Sequence, residues 1–148
     1  MTTAWQPVRA VIAAQQRSGD DVVLPLYTAL GTRFHLGQRD DVDTVVREAL
    51  AEVGLPEELA DLALTDELDE ALRASHAEGI SLVGQDVGTP VIAVPGPDGG
   101  RIAFFGPVVT PAPKGDAAGR LWDGTLLVAG TPGFYEIKRT RDIGPIFD

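Results

Sequence analysis

Histidines, cysteines and paired carboxylates do most of the acid–base, nucleophilic and metal chemistry open to a protein near neutral pH. This sequence uses them sparingly: it holds two histidines, His35 and His76, and no cysteine. Neither histidine has a second histidine or a carboxylate at metal-ligand spacing, and Glu78, two residues from His76, falls on a different helix face. The acid pairs Asp20-Asp21, Asp40-Asp41, Glu57-Glu58 and Asp66-Glu67 stand at expected helix starts, where the macrodipole favours negative charge. The glycines of PGPDGG lack the Gly-Lys-Ser/Thr ending of a phosphate loop and read as a turn. Lys138, Arg139 and Arg141 cluster where a last helix would end, and cations there offset its dipole. Without cysteine, this chain supplies no disulfide, thiolate metal ligand or cysteine nucleophile.

One step invites more attention. In GQDVGTPVIAV, residues 84–94, Gly-Thr-Pro stands directly before the apolar run Val91 to Val94. A proline at the first position of a strand is tolerated because the ladder need not use its nitrogen, so an ordinary turn into a strand accounts for it. On these residues alone the ordinary turn is the stronger reading.

The elements that must position these residues change character along the chain. Trp5, Val8, Val11 and Ile12 predict a first helix ending at Ser18-Gly19-Asp20-Asp21. Pro25 fits the first turn of a second, with Leu26, Leu30 and Phe34 repeating until Gly37. Val42, Val45, Val46, Ala49, Leu50 and Val53 form one stripe, with Asp41 placed to cap that helix and Gly54 to stop it. Pro56 opens a short helical turn through Leu62. Thr65 is placed to cap a longer helix whose inner face runs from Leu68 through Ala71 and Leu72 to Leu82 and Val83. After Gly84, two apolar runs around PGPDGG predict a β-hairpin with both faces covered by helices. PVVTPAPKGD is too rich in proline for regular structure. A helix from Ala117 through Leu127 and an amphipathic FYEIKRTR complete the chain.

Composition bounds the rest. A chain of 148 residues with 44% hydrophobic and 23% charged content suits one soluble domain. A net charge of −10 disfavours nucleic acid and anionic membranes. No apolar run approaches the ~18 residues of a membrane span, and MTTAWQPVRA lacks the features of a secretory signal, so the expected location is cytoplasmic.

The order of long helix, Val-Gly-Thr-Pro, strand, glycine turn, strand and helix resembles the C-terminal half of a thioredoxin-like fold, where a cis-proline loop leads into the sheet. VLPLYTALGTRFH, ALRASHAEGI, VGQDVGTPVIAV, AFFGPVV and FYEIKRTR are similar, in that order, to DsbA-family oxidoreductases of actinobacteria, most closely the mycothiol-dependent nitroreductases. The resemblance implies an α/β fold: a helical insertion over residues 4–86 and the C-terminal half of a thioredoxin-like domain, with the cis-Pro loop, over 87–148. Val87, Gly88, Thr89 and Pro90 would then face a thiol or peptide substrate, with mycothiol as co-substrate and disulfides or nitroaromatic compounds as acceptors. No cofactor is expected in the chain itself.

Members of that family carry a Cys-Pro-Trp-Cys motif at the start of the first helix, where the helix dipole lowers the thiol pKa. This sequence is expected to begin at the insertion and to lack the preceding βαβ segment with its redox cysteines, so the chain alone is expected to be inactive. A sheet without those strands is expected to expose an edge and to self-associate as a homodimer or dock on a partner. Two other readings remain: a non-catalytic binding module, and a relative of 2-hydroxychromene-2-carboxylate isomerases or kappa-class glutathione transferases, whose serine replaces the redox cysteine.

Overall fold

The structure is a computed structural model that describes residues 4–96 and 98–147. It is a mixed α/β chain with six α-helices and a small antiparallel sheet of two strands among the described residues. Two compact units divide it, Met1–His76 and Ala77–Asp148.

The first unit is built from α1 (Trp5–Ser18), α2 (Val23–Gly31), α3 (Val42–Glu52), α4 (Glu58–Leu62) and the start of α5 (Asp69–Ile80). Its core is small and aliphatic: Ala10 and Ala14 of α1, Leu26 of α2, Val45, Val46, Ala49 and Leu50 of α3 and Ala60 of α4 are fully buried. Alanines on α1 allow its neighbours to approach closely, while Leu26 and Leu50 fill the space between helices. The apolar stripe expected on α3 is the buried stripe. Its end follows from Gly54, which sits at φ +72 while its N–H donates to the Ala51 carbonyl (3.1 Å) and the N–H of Leu55 donates to that of Leu50 (2.9 Å). This pair of bonds is the Schellman closure, and its left-handed residue favours glycine.

Three local expectations need correction. Asp41 stands at the N-cap of α3, but its carboxylate makes no cap bond and pairs with Arg39 instead. A fixed guanidinium two residues away outcompetes the helix amides for it. Thr65 donates its hydroxyl to the Leu62 carbonyl (2.8 Å) and helps shape the turn leading out of α4, and α5 begins only at Asp69. That helix stops at Ile80, so Leu82 and Val83 lie in the turn after it. α2 runs on into a π-helical turn, Thr32–Leu36, that includes Phe34.

In the second unit β1 (Val91–Pro95) pairs with β2 (Arg101–Phe105), Val91 opposite Phe105 and Val94 opposite Ile102. Alternation puts Ile92, Val94, Ile102 and Phe104 on one face and Val91, Ala93, Ala103 and Phe105 on the other. α6 (Asp116–Ala129) packs against β2, and Ile102 reaches its C-terminal end, where a Cβ on Gly130 would meet Ile102 Cδ1 at 3.2 Å. Double coverage of the strands does not occur: none of their residues is buried, and Ala93 and Phe105 are exposed. Two strands and one helix offer too little surface to enclose both faces. FYEIKRTR is irregular rather than helical, with Tyr135 95% exposed, because Gly130, Thr131, Pro132 and Gly133 end α6. Lys138, Arg139 and Arg141 therefore do not cap a helix terminus.

Candidate functional site

The chain approaches β1 through an irregular stretch from Gly84, and four residues there form the candidate site. Val87 is half-buried, whereas Gly88, Thr89 and Pro90 are exposed. The Thr89–Pro90 peptide bond is cis, as are Gly106–Pro107 and Thr110–Pro111. Pro90 has no N–H to give, but its carbonyl accepts the N–H of Gly106 at 2.8 Å, extending the hairpin by one rung. Gly106 is buried at φ +95, a conformation glycine adopts without cost.

That rung sets Pro90 beside Gly106 and Pro107 at one end of the hairpin. The Phe105 ring closes the side of the loop: a Cβ on Gly88 would stand 3.8 Å from its Cε2. The site is therefore an exposed backbone corner at Thr89 beside an aromatic ring that is itself 42% exposed. Such a corner offers hydrogen-bonding backbone and apolar contact to an extended or flexible ligand, and no acid, base or nucleophile. Phe105 and Gly106 were not legible as site residues. The signal lay in pairing Pro90 with Gly106, which requires the strand register.

The remaining candidates stay apart. His35 lies in the π-turn after α2 and His76 on α5, both exposed. No three acidic or histidine side chains of the described residues are grouped to hold a metal. A shallow groove of about 450 Å³ lies at the opposite, turn end of the hairpin, lined by Ala93, Val94, Pro95, Gly99, Gly100 and Arg101.

Many of the acids belong to the architecture of the first unit. Arg39 grips Asp41 and Glu48, and Arg33 reaches Glu48 (3.2 Å) and Glu52 (2.7 Å). Arg47 spans Asp43 (3.0 Å), Glu57 (3.1 Å) and Asp61 (2.6 Å), tying α3 to α4. Hydrogen bonds from Arg39, and then Arg33, hold the Glu48 carboxyl below its usual range. Arg39 does the same for Asp41, and Arg47 with Gln6 for Asp43. The guanidinium groups of Arg39 and Arg47 are pushed upward by the same bonds. These are carboxylates stabilised in their charged form, the opposite of what a general acid needs.

No helix among the described residues is long and apolar enough to cross a membrane. Residues 1–139 match the model of the Rv2466c-like family, described as mycothiol-dependent nitroreductase Rv2466c. The chain is also similar to the uncharacterized protein Rv2286c of Mycobacterium tuberculosis, 32% identical over 139 residues that make up 93% of this chain and 57% of the relative. It thus spans little more than half the length of that relative. A match over nearly its whole length shows that the chain belongs to the Rv2466c-like family of mycothiol-dependent nitroreductases.

Proposed function

We propose that these residues form the helical layer and C-terminal half of a cytoplasmic, DsbA-like thiol-disulfide oxidoreductase that uses mycothiol to reduce disulfides or nitroaromatic compounds. The observation that carries this reading is the family match over residues 1–139. Residues 4–86 are the helical insertion and 87–148 the C-terminal part of the thioredoxin-like domain. Val87, Gly88, Thr89 and Pro90 receive the thiol or disulfide, the Thr89 backbone pairing with its extended part and Phe105 giving apolar contact.

The chain has no cysteine, so it cannot itself exchange disulfides. On this reading the redox thiols come from another polypeptide segment that sits against this loop. Two thiols joining in a disulfide release two electrons and two protons, the pair that a disulfide or nitro acceptor takes up. The absence of cysteine also favours a second reading, a binding module that holds a thiol or disulfide ligand without turning it over.

Intact mass of the protein isolated from its native cell, before and after thiol alkylation, tests the first reading. A species heavier than 15.6 kDa with two alkylatable thiols and mycothiol-dependent reductase activity is expected. An unalkylated species of 15.6 kDa overturns it in favour of the binding module.

A further inference from the structure

The two strands of the hairpin do not present equal edges. Gly96 N–H to the Gly100 carbonyl and Gly106 N–H to the Pro90 carbonyl, both 2.8 Å, bracket the ladder and set its alternation. The inward, bonded pairs are Ile92 with Phe104 and Val94 with Ile102. The backbone groups of Arg101, Ala103 and Phe105 point away from β1, and no backbone bond from the described residues meets them. β1 is blunted by comparison, since Pro95 has no N–H to offer at its own outward position and Pro90 precedes the strand. β2 contains no proline.

We propose that the outer edge of β2 is an interface between two copies of this chain, the strands pairing antiparallel about a two-fold axis through Ala103. This register uses all the outward backbone groups of the strand, matching Ala103 with its own copy and Arg101 with Phe105 of the other chain. An antiparallel strand paired with itself is two-fold symmetric by construction, so the contact closes at a dimer. Its side chains suit one another. The small Ala103 sits on the axis, and each Arg101 guanidinium meets a half-exposed aromatic face, twice per dimer, with no like charges opposed.

The distribution of charge favours this end of the molecule. Residues 1–76 carry 14 Asp and Glu against 6 Lys and Arg, whereas residues 77–148 carry 8 against 6. Two copies meeting through the second unit meet near neutrality, and through the first they repel. The interface stands on the strand alone and does not depend on the redox reading.

Sedimentation equilibrium of the full chain at tens of micromolar reads the outcome. The expected species is twice the 15.6 kDa chain mass. Ala103→Pro removes an outward N–H without touching a β1–β2 bond and is expected to give monomer. Phe105→Arg opposes two guanidinium groups and is expected to raise the dimer Kd on the order of tenfold. Adding Arg101→Glu to Phe105→Arg restores opposite chemistry across each pair and should recover the dimer, with far-UV circular dichroism showing the helices intact throughout. A monomeric wild-type chain, which leaves this edge to a strand of some other polypeptide, overturns the proposal. So does a dimer indifferent to all three variants.

Discussion

Arg9 takes its charge almost out of water, with its side chain and that of its partner Asp69 only 6% and 18% exposed. Its Nε and Nη2 reach one carboxylate oxygen at 2.7 and 2.5 Å, joining α1 to the start of α5. The guanidinium carbons of Arg9 and Arg73 stand 5.5 and 5.2 Å from the centre of the Trp5 ring. Removing Asp69 deletes the ion pair and the charge-assisted hydrogen bond that it makes with Arg9, and a hydrogen bond to a charged group contributes about 1.5–3 kcal/mol. Asp69→Ala should therefore lower stability by about 1.5–3 kcal/mol in a urea melt. Arg9→Met with Asp69→Leu should regain part of it, because apolar side chains of similar volume replace the buried pair without its desolvation cost. The surface network behaves differently. Asp41, Asp43 and Glu48 have native pKa values held below their unfolded ones, so they stabilise the fold above the ordinary carboxylate range. That contribution is lost as pH falls through their depressed values. The melting temperature should drop below about pH 4, and Glu48→Gln or Asp43→Asn should make that acid limb shallower.

The helices differ in how far their own residues specify them. α3 was legible from end to end because its stripe is regular, its side chains are apolar at each buried position, and Gly54 supplies the left-handed stop. Leu50 on that stripe is fully buried, so Leu50→Ala should cost about 2–5 kcal/mol, read as a lower urea midpoint with unchanged slope. α5 was legible in part. Thr65 has the chemistry of a cap, but its hydroxyl, which donates to the Leu62 carbonyl and accepts the N–H of Glu67 at 3.4 Å, serves the turn after α4, and the helix starts four residues later. FYEIKRTR has an amphipathic spacing that suits a helix, yet no neighbour buries that face and the segment stays irregular. The hairpin was legible from its apolar runs and glycine turn, while the coverage of its faces was not, since alternation names the faces without saying what packs on them. The same limit applied to the site. Val87 to Pro90 could be singled out from Gly-Thr-Pro before a strand, but Phe105 and Gly106 join them only through the register.

At the scale of the whole molecule, burial and charge are unevenly shared. Every apolar side chain in the buried class lies between Ala10 and Leu68, and the described residues after it contribute only exposed or half-buried ones. The first unit therefore holds the hydrophobic driving force, with an aliphatic core enclosed by four helices. The second holds a two-stranded hairpin and one helix, an assembly of marginal stability in water unless something covers it. Amide exchange depends on the free energy of opening each region, so it should resolve this imbalance within the intact chain. Amides of α1, α2 and α3 around Ala14, Leu30 and Val46 should exchange slowest and all at one global opening rate. Those of Ile92, Val94, Ile102 and Phe104, although bonded in the ladder, should exchange orders of magnitude faster and with little dependence on urea. Raising the protein concentration separates the two sources of protection available to the hairpin. Protection that grows with concentration at Ala103 and Phe105, but not at Val46, is what pairing between chains through β2 requires; equal protection in both units at every concentration would mean that the second unit is stabilised from within.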